Sequence, residues 1–318
     1  MPRLFFGNFD FEHSLGLAPL GQLSRNLREV NAKWCLSLLP LMKPGDYLWI
    51  PELLIDRKDS WQDLVKQAGV VGIWQVDQIP SDNEIEFVPW GWTEKNISWA
   101  KEQVWTVPHP EMQIVTWANS RATSFGYEQQ WESAPPGSIE LHQVEDLGEQ
   151  LTNFSDDAKW VMKAEFSMSA RERMIGQGRD VLQPTLNWLK KRLLHSGRVF
   201  FEPWLNRIEE MSFHYDISPA GEVCFLGMTE LLTDEFGRYL GNRLVSVENA
   251  QDKTEWECSC LQTMQFAHQL AKKEYFGPLS IDAMRYEDAK GDSHERPLQD
   301  VNARYSMGRS VWEKQKKN

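Results

Sequence analysis

The sequence predicts a chain of mixed helix and sheet, with a small α/β unit ahead of a larger two-lobed α+β unit. Three observations predict it. Through the first hundred residues, short apolar runs alternate with helical spacing, as in strands crossed over by helices. Between residues 211 and 247, three strand-like runs follow one another with turns at Pro219-Ala220-Gly221 and Asp234-Glu235-Phe236-Gly237. Near the C-terminal end two apolar runs, Leu279-Ser280-Ile281 and Pro297-Leu298, each lead into an acidic residue, Asp282 and Asp300. The charged, Gly-containing connection between them reads as a hairpin. The boundaries read as 1–115 for the small unit and 116–318 for the larger one, divided into lobes 116–199 and 200–318.

Taken in order, Arg3 to Phe6 reads as a strand. Leu23, Leu27, Val30, Trp34, Leu38 and Leu41 recur at helical spacing over Gln22 to Met42, with Pro40 near the end. Tyr47 to Ile50 is a second strand, Trp61 to Ala68 a short helix, and Val70 to Val76 a third strand. No glycine-rich dinucleotide fingerprint lies among them. Ile114 to Gln130 reads as one helix, and Pro135-Pro136-Gly137 breaks the chain. Ser138 to Gln143 reads as a strand and Val144 to Phe154 as a helix with acidic residues in its first turn.

Trp160 to Ala164 is then a strand of large residues that contains Lys163. A Lys in such a run is either an edge residue reaching water or, with a small polar loop directly after it, a phosphate ligand. That loop is Glu165 to Arg173, with hydroxyls, backbone N–H groups and guanidinium groups, and it runs on to Gly176-Gln177-Gly178. Leu182, Leu186, Leu189 and Leu193 stripe the next helix. The strand Arg198 to Phe201 runs into Glu202-Pro203-Trp204-Leu205, where Pro203 should interrupt pairing and leave backbone groups beside an apolar slot suited to a flat purine. A helix from Thr254 to Tyr275 delivers the chain to the hairpin, and the tail from Glu313 to Asn318 reads as frayed.

If the hairpin runs pair, Asp282 and Asp300 approach each other, and Asn302 shares the face of Asp300 because strand side chains repeat every second residue. Two carboxylates and an amide oxygen are hard donors that suit Mg²⁺, and Arg304 beside them suits a phosphate or a carboxylate. Asp-x-Asn at a strand end is also ordinary turn chemistry.

Composition narrows the classes. At 318 residues, with 41% hydrophobic and 25% charged side chains, the chain can bury two or three lobes. No apolar run reaches bilayer length and the first residues lack a leader pattern, so a cytoplasmic protein without a membrane partner is expected. The net charge of −12 argues against nucleic acid, whose binding rests on Lys and Arg neutralising phosphates. Cys35, Cys224, Cys258 and Cys260 read as reduced thiols, and Cys258-x-Cys260 lacks a second pair for zinc. The seven His show no metal spacing, and no G-x-S-x-G or Cys-His arrangement supports a hydrolase. Fifteen Trp read as core and edge packing or as a sugar-stacking surface.

Lys163 ahead of its polar loop, Glu202-Pro203-Trp204-Leu205, Glu210 at the next strand, Asp282, and Asp300-Val301-Asn302-Ala303-Arg304 follow one another in an order that resembles the ATP-grasp superfamily. The resemblance covers Asn119 to Arg309. It implies two α+β lobes clamping ATP. Lys163 would contact the α- and β-phosphates, with Arg121 as a further basic residue. Glu202 with the backbone of Pro203, Trp204 and Leu205 would read the adenine edge, and Glu210 would bind the ribose. Asp282, Asp300 and Asn302 would hold Mg²⁺, or Mn²⁺ in its place, and Arg304 would steady the transferred phosphate. Two departures stand out. Ser169-Ala170-Arg171-Glu172 replaces the usual glycines, which shifts weight onto Ser167, Ser169, Arg171 and Arg173. Position 300 is Asp where Glu is usual.

The function so implied is an ATP-dependent ligase that activates a carboxylate as an acyl phosphate for attack by an amine, with room for a homodimer. The alternative is a catalytically idle nucleotide-binding protein with a regulatory or assembly role. A sugar- or peptide-binding module on the Trp-rich first half would leave Lys163 and the terminal acidic set without a part.

Overall fold

Three sheets organise the protein, whose computed structural model describes residues 1–16, 25–57, 61–80, 84–167, 172–245 and 255–316. The first is parallel, in the order β3-β2-β1-β4, built from β1 (Arg3–Phe6), β2 (Tyr47–Trp49), β3 (Val71–Ile73) and β4 (Glu86–Pro89). Both faces of a parallel sheet are covered, and here Phe5, Phe11, Leu38, Leu48 and Trp61 fill one side while Leu4, Phe87 and Ala100 fill the other. On that second side Trp99 meets Trp49, Phe87 and Trp105 edge to face, and Trp105 stacks on Phe87.

β3 is shorter than its apolar run suggests, because Gln75 and Gln78 cap a 3₁₀ turn from Val76. The helix expected over Gln22 to Met42 is Arg25–Trp34, continued by a 3₁₀ segment, Cys35–Leu41, that contains Pro40. Proline has no N–H for an i→i−4 bond, which ends regular α-helix here. Residues 17–24 lie outside the described part.

The second sheet is antiparallel, in the order β5-β8-β6-β7, from β5 (Ile139–Leu141), β6 (Lys159–Ala164), β7 (Arg173–Gln177) and β8 (Val199–Pro203). Helices Val144–Leu151 and Gln183–Ser196 seal it through Leu147, Leu151 and Leu189 against Trp160 and Phe201. Pairing does not break at Pro203 as expected. Pro203 stands opposite Trp160, and the next N–H, of Trp204, donates to the Lys159 carbonyl at 2.9 Å. A proline on a strand's last position removes one donor and leaves its carbonyl side intact.

The third sheet is antiparallel, in the order β11-β10-β9-β12-β13, from β9 (Asn206–Ile217), β10 (Val223–Thr233), β11 (Tyr239–Leu244), β12 (Gly277–Glu287) and β13 (Ser293–Asn302). Helix Glu257–Lys272 lays Phe266, Ala267 and Leu270 onto Phe213, Ile281 and Leu298. Two residues, Trp204 and Leu205, join this sheet to the second one.

Two further expectations are corrected. Ile114 to Gln130 is two helices, Met112–Asn119 and Arg121–Gln130. Ser120 breaks them with an extended ψ of 130°, and its hydroxyl caps the second helix by accepting from Ala122 N. The tail is helical over Met307–Lys316, since Arg309 ties it down through Asp216 and Glu313.

Candidate functional site

Side chains from both antiparallel sheets meet in a cleft that starts at the Trp204-Leu205 joint. At this hinge end four charges alternate in sign, Glu128, Arg296 and Glu202 buried and Lys163 half-buried. Arg296 on β13 forks onto Glu128 of helix Arg121–Gln130 at 2.7 and 2.9 Å, and onto Glu202 of β8 at 2.8 and 3.0 Å. Lys163 Nζ on β6 then donates to Glu202 Oε2 at 2.5 Å. Burial alone would raise the Glu202 carboxyl, but Arg296 and Lys163 outweigh it and hold it well below the usual range. For Lys163 burial wins over the Glu202 charge and pulls the ammonium down to about 8.

Next along the cleft, two guanidinium groups lie near the Trp204 ring, Arg173 at 5.9 Å and Arg207 at 5.6 Å from its centre. Arg173 donates to the Phe236 carbonyl, and Arg207 donates to the carbonyls of Asp234 at 3.1 Å and Glu235 at 3.2 Å. The β10–β11 turn is thereby drawn over the hinge. Glu210, buried on β9, accepts from Arg207 at 3.2 Å, from Gln299 Nε2 at 2.6 Å and from the Thr233 hydroxyl.

At the far end β12 and β13 pair in the register that sets Asp282 directly opposite Asp300 and Ser280 opposite Asn302. Asp282 accepts from Ser212 Oγ at 2.5 Å and from Asn302 Nδ2 at 3.2 Å. Burial, then the Asp300 charge, push the Asp282 carboxyl up to about 7. Asp300 accepts from Arg121 Nη2 at 3.1 Å, and the same guanidinium reaches Ser167 Oγ and the carbonyls of Ala164 and Gln299. Arg121 thus stitches the start of the polar loop to the carboxylate hairpin. Arg304 donates to Asn302 Oδ1 at 2.7 Å and pairs with Glu12, which comes from helix Phe11–Leu15 of the first unit.

Two cavities adjoin this end. A void of about 10 Å³, the space of one water, lies among Glu12, Ser120, Arg121, Glu165, Asp300 and Asn302. A cavity of about 1740 Å³ opens between the parallel-sheet unit and the β5–β8 lobe, and it shares Ser120 and Glu165 with the small void.

No protein-family model matches the sequence, and no curated protein matches it. Solved structures do match the fold. The biotin carboxylase domain of Hydrogenobacter thermophilus 2-oxoglutarate carboxylase, solved with MgADP, ADP and bicarbonate, superposes with a TM-score of 0.57. It is 13% identical, over 98% of this chain and 68% of that one. Biotin carboxylase from Campylobacter jejuni in a complex with β,γ-ATP has a TM-score of 0.58 at 10% identity, over 98% and 67% of the two chains. Phosphoribosylamine–glycine ligase from Thermotoga maritima has 0.53 at 14%, over 98% and 71%. The fold is the ATP-grasp fold. At these identities the likeness is one of fold.

Within the ATP-grasp fold, the structure brings Arg121, Lys163, Ser167, Glu202, Glu210, Asp282, Asp300, Asn302 and Arg304 to one cleft, and Ser169 and Arg171 lie outside the described residues. Three expectations are modified. The Glu202 carboxylate faces the ion chain, and the register pairs its backbone with Val161. The Trp204 N–H is taken by Lys159. Arg173 reaches the β10–β11 turn and lies near the Trp204 ring, because β7 pairs it opposite Lys163 at the mouth of the cleft. Sequence reasoning missed Glu12, Glu128, Arg207, Arg296 and Gln299. Arg296 sits beside Pro297 in a stretch that reads as a turn, and Glu128 lies on a helix where a carboxylate reads as solvated face; neither carries a local signal of burial.

The residues fit a hard divalent cation. Two carboxylates face each other, and Asp282, raised by burial first and by the Asp300 charge second, has only neutral hydrogen-bond partners among the described residues. Among the described residues no group of three or more His, Cys, Asp or Glu could hold a metal, so a further protein oxygen would come from a neutral neighbour, the Asn302 amide or the Ser212 hydroxyl. That amide now turns its nitrogen to Asp282 and its oxygen to Arg304, and it would have to turn over to ligate.

Proposed function

We propose that the chain is an ATP-dependent ligase that activates a substrate carboxylate as an acyl phosphate and joins it to an amine, with Mg²⁺. The observation that carries this reading is the opposed Asp282–Asp300 pair with Asn302 at one end of the cleft whose other end is Lys163 and the hinge. The nucleotide complexes solved for the two biotin carboxylases of the same fold support it.

Asp282, Asp300 and Asn302 would hold Mg²⁺, which when bound supplies positive charge against the phosphates. Leu205 N–H and the Pro203 carbonyl would meet the adenine edge, since Pro203 has no N–H, that of Trp204 is bonded to Lys159, and the register pairs Glu202 with Val161. Glu210 would accept from the ribose hydroxyls. Lys163 and Arg121 would orient the phosphates, and Arg304 would neutralise the transferred phosphoryl group. The substrate carboxylate attacks the γ-phosphorus and ADP leaves. The amine then attacks the acyl carbon, phosphate leaves, and the amine gives up a proton. No protein nucleophile is needed.

Melting with and without nucleotide tests the first half. Mg-ATP should raise the melting temperature and GTP should raise it less, because a ligand of the folded state stabilises by mass action. Equal shifts from both would count against the hinge reading. One observation favours the idle alternative: the β10–β11 turn already satisfies Arg173 and Arg207 across the hinge. ADP release with a panel of acids and amines separates the two, since an idle binder releases none.

A further inference from the structure

We infer that the large cavity beside the carboxylate hairpin takes a polypeptide end, so that the substrate joined by this protein is a peptide and not a free amino acid. The inference rests on the ligase reading above and names its substrate class. Size is the first argument. Pockets for small molecules run to roughly 300–1,000 Å³, whereas this one holds about 1740 Å³. A single amino acid would leave most of it to water.

The lining is the second argument. The packed pair Phe6 and Trp49, with Trp117 and Phe166, offers aromatic surface to the side chains of an extended chain. Polar side chains, among them Gln113 and Thr116, line the same walls. A peptide backbone alternates N–H and C=O along its length and can meet a side-chain amide and a hydroxyl. A lipid tail would leave such groups unmet. A polyanion would want clustered cations, yet Arg28, Lys95 and Arg198 share the wall with five carboxylates, Asp10, Glu52, Glu94, Glu165 and Glu172. Position is the third argument. Ser120 and Glu165 belong both to this cavity and to the void beside Asp300 and Asn302, so a chain lying in it brings one end to the proposed acyl-transfer point.

Three pools settle it: random hexapeptides with free ends, random dipeptides, and the twenty free amino acids, each at the same total concentration. Two readouts are taken on the full chain: ADP release with Mg-ATP, and tryptophan fluorescence without nucleotide, since Trp49 and Trp117 line the cavity. Hexapeptides should change the fluorescence and release ADP at least tenfold faster than free amino acids, with dipeptides between. Thr116→Trp, which fills the cavity from helix Met112–Asn119, should cut the hexapeptide fluorescence response about tenfold, its folding checked by melting. Amino acids that match or exceed the hexapeptides overturn the inference, as does a fluorescence signal from oleate alone. Silence from the hexapeptides in both readouts, with the Mg-ATP melting shift intact, overturns it too and leaves the ligase reading standing. A hexapeptide fluorescence response without any ATP shift overturns the ligase reading and with it the substrate assignment, leaving peptide binding alone.

Discussion

The two ends of the cleft use the same kinds of side chain to opposite effect. At the hinge, Glu128, Arg296, Glu202 and Lys163 alternate in sign, and each carboxylate has a full fork or an ammonium on it. At the hairpin, Asp282 stands opposite Asp300 and among the described residues is reached only by neutral groups, the Ser212 hydroxyl and the Asn302 amide, while the cation Arg121 pairs with Asp300. A balanced chain in low dielectric holds the lobes at a set angle and asks for nothing more. A buried carboxylate met only by neutral groups is favoured in its uncharged form unless a cation reaches it. Charge pairing, more than burial, distinguishes the two ends.

The largest effect should come from breaking the balanced end. Arg296→Met leaves two buried carboxylates with only Lys163 between them, so unfolding free energy measured in urea should fall by about 3–5 kcal/mol. A loss below 1 kcal/mol would mean that the ion chain does not hold the lobes. Asp300→Asn at the unbalanced end should do the reverse. Stability should stay within about 0.5 kcal/mol because the side chain is 45% exposed, while ADP release falls by about a hundredfold or more. Near-normal release with saturating substrate would remove Asp300 from the metal set.

Lys163 belongs to the balanced chain yet faces the cleft, so Lys163→Met sharpens the comparison. Loss of its charge-assisted bonds should weaken ATP binding by about 1.5–3 kcal/mol, with AMP affected much less. Because the ammonium titrates near 8 in the folded protein, ATP affinity of the wild type should fall as pH rises through about 8, and the variant should lack this limb. Equal losses for the two nucleotides, or a pH limb that persists, would place Lys163 in the scaffold alone.

The smallest effect concerns Asp282. Its folded carboxyl is raised above the unfolded value, so whatever stability it contributes is present below about pH 4 and is lost as pH rises through about 7. Without metal, Asp282→Asn should match the wild type near pH 4 and melt about 2–4 °C higher at pH 8. Mg²⁺ should erase the difference by stabilising the wild type. A variant that melts lower than the wild type at pH 8 would show that the carboxylate pair is not strained.

The sequence by itself determined the carboxylate hairpin, since strand periodicity and a turn of charged residues are local facts that do not depend on the rest of the chain. It also determined the helix stripes and strand runs, with errors where proline or a capping serine altered hydrogen bonding, at Pro40, Ser120 and Pro203. Only the tertiary structure decided which charges are buried. Glu128 meets Arg296 across 168 residues and Glu12 meets Arg304 across 292, and neither carboxylate looks different from a solvated one until the fold supplies its cation. The cavity likewise belongs to no segment, because its walls come from the parallel sheet, from helix Met112–Asn119 and from the start of the polar loop. Local pattern records what a residue prefers; the opposing charge or the empty volume beside it exists only once distant segments are packed together.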